Sequence, residues 1–435
     1  MLTFSAYAMI VVFMALIMTK RLPAMVALIL VPIAFGIATG FGPVLGPMMF
    51  DGIKKLAPTG VMLMFAILYF GIMIDAGLFD PVVRFIIRIV GGDPMKIVVG
   101  TVVLAMSVGL DGDGSTTYMV TAAAMLPLYT RLGMSPLVFT CVVMMASHNM
   151  NLLPWGGPTA RVVTALELDM KDVFVPLIAP MIITALWVVF VAYLLGMGER
   201  RRIGIVKLGT GGEGEAVMVG SDPSLLRPKL LWFNVALTVA LLVLLVWGVL
   251  PLPVLFMVAF AIALTVNYPG LQQAKERTAA HAENALPVVA LIFAAGIFVG
   301  ILSGTKMVDA IADSVIVAVP QWMGPYMAIV TAVLSIPFTF FISNDAFYYG
   351  IVPILAKTAA VYGITTAEIA RASLVGQQVH LLSPLVASTY LLVGLAKVEF
   401  GDHQRKTILW ALSAAAVMLI ATIVCGVVPV VGRLS

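Results

Sequence analysis

Gly109-Leu110-Asp111-Gly112-Asp113-Gly114-Ser115-Thr116-Thr117 interrupts a long apolar run with two carboxylates, three glycines and three hydroxyls. A second break, Ile342-Ser343-Asn344-Asp345-Ala346, interrupts the later part of the chain in the same manner. Each is followed by another polar break, Ser147-His148-Asn149-Met150-Asn151 and Gly376-Gln377-Gln378-Val379-His380. The separation of Asp113 from His148, 35 positions, recurs between Asp345 and His380. The four breaks therefore read as two copies of one plan, converging on a single polar site inside a membrane.

Lipid as solvent follows from composition. Of 435 residues, 62% are hydrophobic and 11% charged, and the mean hydropathy is +1.10. A soluble chain of this length could not bury so much apolar surface. The formal net charge of +4 is too small to suggest a nucleic-acid partner. Cys141 and Cys425 both lie in apolar runs and read as small buried hydrophobes, with no disulfide or metal spacing. The first residues lack a basic leader and run directly into apolar sequence, which predicts a retained first helix.

Working outward, the breaks divide the apolar sequence into an all-α polytopic architecture of about ten spans plus two re-entrant hairpins. Spans are expected at about 4–18, 24–39, 60–79 and 173–197, and again at about 231–250, 253–267, 287–302 and 407–428. Two arms around the tip at 110–117 are each shorter than the ~20 residues a spanning helix needs, which predicts a hairpin. Polar backbone at membrane depth is tolerated only where protein or a wet cavity surrounds it. A second hairpin is expected around the tip at 342–346. Broken helices are expected at 135–168 and 366–396, which supply the ninth and tenth spans. Arg84 and Arg88, four apart among apolar residues, mark an amphipathic connector.

Residues 1–198 thus form a first repeat, 199–229 a linker and 230–435 a second repeat. Five crossings per half invert the second copy. Inverted repeats with paired broken helices are a usual build of secondary transporters, with the site at the repeat interface. A cytoplasmic linker puts Lys20, Arg21, Arg84, Arg88, Lys96, Arg131, Arg200, Arg201 and Arg202 on one side, in line with the positive-inside tendency.

Carboxylates in lipid are costly and usually functional. Asp111, Asp113, His148 and Asp345 are the candidates for proton or ion coupling, with helix capping as the plain alternative for the aspartates. Two close carboxylates do not both ionise easily in a dry site, which suits a shared proton. Ser115, Thr116, Thr117, Ser343 and Asn344 sit at the tips, where free N–H groups of a helix start suit an anion. Asn149, Asn151, Gly156, Gly157, Gln377, Gln378, His380 and Ser383 belong to the two broken segments and complete the substrate-binding candidates with Arg161. A guanidinium at 161 suits a carboxylate, or else snorkels to the interface. Asp75, with no counterpart in the other half, is expected to be structural. No nucleotide-binding P-loop, nucleophile elbow or zinc-protease motif is present, which argues against an ATP-driven pump and the common hydrolases.

At these stretches, together with His148-Asn149-Met150-Asn151-Leu152-Leu153-Pro154-Trp155-Gly156-Gly157-Pro158, the chain resembles the citrate–metal:proton symporter family of the ion transporter superfamily. The resemblance implies proton-driven import of citrate chelated to a divalent cation of the Mg or Ca type. The metal then arrives with citrate, with no intrinsic metal site and no cofactor. It also implies a homodimer in a bacterial-type plasma membrane, with a fixed scaffold and a sliding, elevator-like transport domain. Related dicarboxylate/sodium symporters carry Ser-Asn-Thr at both tips. Here Asp345 replaces the second Thr and Asp113 precedes the first tip, which favours protons over sodium. The residues agree, because acidic tips repel a free trianion and suit a metal-chelated one. Other readings are a cation/proton antiporter or another dicarboxylate or oxyanion transporter, and more distantly a channel or an intramembrane enzyme.

Overall fold

The computed structural model describes residues 2–19, 21–112, 114–205, 223–247, 249–318, 320, 322–383 and 386–433. Asp113 and the polar part of the linker, 208–222, lie outside the described residues. Among those described, every regular element is helical. The first half comprises α1 (Leu2–Met18), α2 (Ala24–Ala38), α3 (Leu45–Asp75), α4 (Asp80–Val90), α5 (Pro94–Val108), α6 (Gly114–Arg131), α7 (Pro136–Met150), α8 (Gly157–Ala165) and α9 (Met170–Ile203). The second comprises α10 (Leu231–Trp247), α11 (Leu252–Asn267), α12 (Leu271–Gly304), α13 (Met307–Ala318), α14 (Met327–Phe341), α15 (Val352–Ala360), α16 (Thr366–Ser373), α17 (Gln377–His380), α18 (Ala387–Ala396) and α19 (Phe400–Val424).

By length and composition, seven of the described helical segments could cross a membrane. Five of them carry expected spans, within α3, α9, α10, α12 and α19. The other two are Pro94–Asp111 and Gly324–Phe341, first arms of the expected hairpins. The spans expected at 4–18, 24–39 and 253–267 are present as shorter apolar helices, α1, α2 and α11.

Helices α3 and α12 form the tightest crossing. A Cβ on Gly52 would stand 2.0 Å from the Gly296 carbonyl oxygen, and one on Gly300 would stand 2.2 Å from that of Met48. Without a hydrophobic drive between helices in lipid, such close backbone approach is what holds them. Three glycines without side chains thus set the spacing of the two longest walls of the cavity described below.

The breaks are built by local chemistry. Asp93 caps α5 by accepting the Met95 N–H (3.1 Å). After α5 a short 3-10 turn, Gly109–Asp111, leads to Gly112 with φ +77°. That left-handed conformation favours glycine, and it folds the chain back so that α6 packs on α5. The first broken segment is α7 and α8 with Asn151–Gly156 unwound between them, and the second is α16, α17 and α18.

The starts of α5 and α14 lie at opposite ends of the α9–α19 pair. Trp187 of α9 bonds Ser413 of α19 (3.0 Å), and Thr184 meets Met418 (3.3 Å). Residue number falls along α9 as it rises along α19, so the pair is antiparallel and their C-termini lie at opposite ends. Asp93, at the base of the first hairpin, pairs with Arg200 near the C-terminus of α9 (3.7 Å). Pro325, at the base of the second, accepts the Gly432 N–H just beyond α19 (2.6 Å).

Candidate functional site

A cavity of about 560 Å³ opens where the first tip, the first joint, α3 and α12 meet. This volume lies within the ~300–1,000 Å³ typical of small-molecule sites. The tip contributes Asp111, Gly112, Ser115, Thr116 and Thr117, and the joint contributes Ser147, Asn151, Gly157 and Arg161. Phe70 and Gly71 of α3, with His281 and Asn284 of α12, form the facing wall. Ser388 of α18 also reaches it.

The tip is held to the joint by Trp155. Its indole Nε1 donates to the Leu110 carbonyl (2.8 Å). A Cβ on Gly112 would lie 2.6 Å from the Trp155 Cδ1, so Gly112 serves both the turn and the ring. The same ring contacts Phe70 (5.1 Å between centroids) and Phe256 (5.2 Å). Asp111 is buried, and the first turn of α6, Gly114 to Thr117, lines the same cavity, where a helix start favours negative charge.

Arg161 connects the two halves. Its Nε donates to Asp345 Oδ1 at 2.6 Å, with side chains 21% and 15% exposed. This charge-assisted bond brings the second tip to the cavity through one side chain. Arg161 is bound inside the protein instead of snorkelling to an interface.

The other expected residues stand behind the cavity wall. Asn344 and Gln377 face each other, with Gln377 Nε2 donating to Asn344 Oδ1 (2.9 Å) and to the Tyr348 hydroxyl (2.9 Å). Ser343 caps its own break by accepting the Ala346 N–H (3.2 Å). His380 Nδ1 donates to the Thr339 carbonyl (2.7 Å), and His148 Nε2 accepts the Leu381 N–H (3.1 Å). Asn149 donates to the Met181 carbonyl (3.2 Å). Gly156 is a packing position, because a Cβ there would fall 2.0 Å from the Asn151 carbonyl oxygen. Gln378 and Ser383 are buried beside the second joint. None of these residues lines the cavity.

One cluster on the cavity rim was not anticipated. Asp75, expected only as a structural residue, accepts from His281 Nε2 (2.7 Å) and lies 3.5 Å from Arg277 Nη1. The His281 ring rests on Gly71, where a Cβ would approach it to 2.5 Å. These residues come from α3 and α12, distant in sequence and brought together by the glycine crossing. The one sequence signal was Asp75 itself, a carboxylate late in an apolar run.

Known proteins match this chain along its length. The citrate transporter family model matches residues 11–376. A citrate transporter of Bacillus subtilis (strain 168) is 58% identical over 98% of this chain and 100% of its own length. From the same organism, a Mg(2+)/citrate complex secondary transporter is 49% identical over 99% of this chain and all of its own. The crystal structure of the YdaH transporter of Alcanivorax borkumensis aligns with TM-score 0.58 at 15% identity, covering 90% of this chain and 91% of that one, which shows a shared fold. With its apolar helices, the chain is a multi-pass protein of the bacterial cell membrane. It is a transporter and not an enzyme, and it belongs to the citrate transporter family.

Proposed function

We propose that this chain imports citrate as its complex with a divalent cation, in symport with protons. The observation that carries the reading is the cavity's mixed charge, with buried Asp111 and the start of α6 on one side and Arg161, paired to Asp345, on the other. A cation-chelated tricarboxylate has a net charge near one and offers both signs. Free citrate would present three negative charges to Asp111 and be repelled. The name of the Mg(2+)/citrate relative supports the same cargo.

Arg161 is the exchange point in this reading. Before cargo arrives its guanidinium is neutralised by Asp345. A carboxylate of the complex takes over the guanidinium, which suits bidentate binding. Asp345, released into a site that now holds another carboxylate, takes up a proton, because like charges at close range do not both ionise. Asp111 faces the cation of the cargo. Asp113, two residues further along the tip, is a second candidate for the proton.

Opposed hairpins support two inverted repeats, 1–198 and 230–435, joined by 199–229. The α3–α12 crossing with α1, α2, α10 and α11 suits the scaffold, and the hairpins with the broken helices suit a moving, elevator-type transport unit. The homodimer rests on the family resemblance alone.

Uptake of labelled citrate into proteoliposomes with an imposed inward proton gradient tests the reading across a panel of divalent cations. Mg²⁺ is expected to raise uptake at least about tenfold over metal-free citrate, since neutralising two of three charges removes several kcal/mol of repulsion. Uptake that is undiminished by a strong chelator would overturn it.

A further inference from the structure

Half of the buried side-chain N and O atoms that lack a partner among the described residues belong to three neighbouring helices. They are Ser147 Oγ, His148 Nδ1, Asn149 Oδ1, both amide atoms of Gln378 and His403 Nε2. Three helices carry them, α7, α17 and α19, and each of the three packs against the other two. Buried polar groups are nearly always satisfied, so a concentration of orphans calls for ordered water or a function.

The cluster has a direction. His403 lies in the first turn of α19, at the end opposite Gly432 and therefore at the linker end of the molecule. Its Nδ1 meets Thr140 Oγ1 of α7 at 3.0 Å, and its Nε2 is the orphan. Seven positions along α7, about 10 Å, Ser147 shares the face of Thr140 and lines the cavity. Gln378, fully buried on α17, has neither its donor nor its acceptor used.

We propose that these groups line a narrow hydrated path carrying the coupling proton between the linker end and the cavity wall at Ser147. The proposal rests on the proton-coupled reading above. His403 relays by gaining a proton on one ring nitrogen and giving up the one on the other. For each proton entering, one leaves, and nothing is oxidised. His148 acts differently. Its Nε2 accepts a backbone N–H, so the proton resides on Nδ1, which becomes a fixed donor that orients the water chain. Ser147 can accept from that chain and donate into the cavity. Besides His148 and His403, the ionisable groups on these three helices are Cys141 on α7, His380 on α17, and the exposed Asp402, Arg405 and Lys406 on α19. Of these, His380 is tied to the Thr339 carbonyl.

The test uses the full chain in liposomes loaded with a pH-sensitive dye, with membrane potential clamped and Mg²⁺-citrate added outside. Two variants are compared, His403→Gln, which keeps a hydrogen-bonding side chain, and His403→Leu. Citrate-dependent proton entry is expected to fall about tenfold or more in both, while citrate counterflow, which needs no net proton movement, stays within about twofold of wild type. Proton entry at the wild-type level in either variant overturns the path. So does an equal loss of counterflow, which would make His403 a folding or binding residue. If wild type itself moves no protons with citrate, proton coupling fails and the path fails with it.

Discussion

Arg161→Gln lowers kcat/KM for citrate uptake by about 100-fold or more, because a carboxylate of the cargo loses its charge-assisted bond to a largely buried guanidinium, a truncation that costs about 2–5 kcal/mol. The pair it breaks spans 184 residues of sequence and is 2.6 Å long. Arg161→Lys restores the charge but not the planar fork, and recovers only part of the loss, mainly in kcat. Asp345→Asn behaves differently. It leaves Arg161 able to bind a carboxylate but removes the group that takes up the proton, so uptake persists and loses its response to an imposed pH gradient. Initial rates at several citrate concentrations, with and without the gradient, separate these outcomes. Wild-type KM in Arg161→Gln would remove Arg161 from the site.

The second large effect comes from Gly156→Ala. The added methyl would meet three backbone atoms, Asn151 O at 2.0 Å, Asn151 C at 2.8 Å and Leu153 O at 3.0 Å. Overpacking usually costs about 1–3 kcal/mol where side chains can yield, and backbone cannot, so the unwound joint must open. We expect loss of transport together with a lower unfolding temperature in detergent. Gly157→Ala is the informative neighbour. Its methyl would meet the Arg161 Nη1 at 2.8 Å, the far end of a flexible side chain. Stability should be nearly unchanged while citrate affinity falls. Equal thermal stability of Gly156→Ala and Gly198→Ala, the latter with open space around it, would contradict the assignment.

The parts of the cavity lining that were legible in the sequence share a cause. Asp111, Ser115, Asn151 and Arg161 are polar residues where lipid forbids them, so a linear reading finds them. The rim cluster of Asp75, Arg277 and His281 was not legible, because Arg277 and His281 lie in the polar start of a long helix, where charge is unremarkable. They meet Asp75 only because Gly52 and Gly296 let two helices touch. The repeat does not extend to the lining of the cavity. It gave Gln377, Gln378 and His380 the same standing as Asn149, Asn151 and His148, whereas only Asn151 of these six lines the cavity. Equivalent positions need not face equivalent surroundings, and the second joint is bonded by Asn344 of its own tip and Thr339 of α14. The elements were easier, since uninterrupted apolar runs admit little but helix in lipid. Helices α1, α2 and α11, of 17, 15 and 16 residues, fall on the short apolar runs expected at 4–18, 24–39 and 253–267.

Directly after Asp345 the chain makes a wide turn of the π type, Ala346–Ile351, before α15 resumes the usual winding at Val352. Such a turn is an ordinary helix holding one residue too many. The two sides of it are therefore out of phase, by about 100° of rotation. Handing the surplus residue along the helix would rotate the tip against its own stem, with the packing below Val352 undisturbed. The carboxylate that meets Arg161 thus stands at the head of this turn, out of phase with the winding of α15.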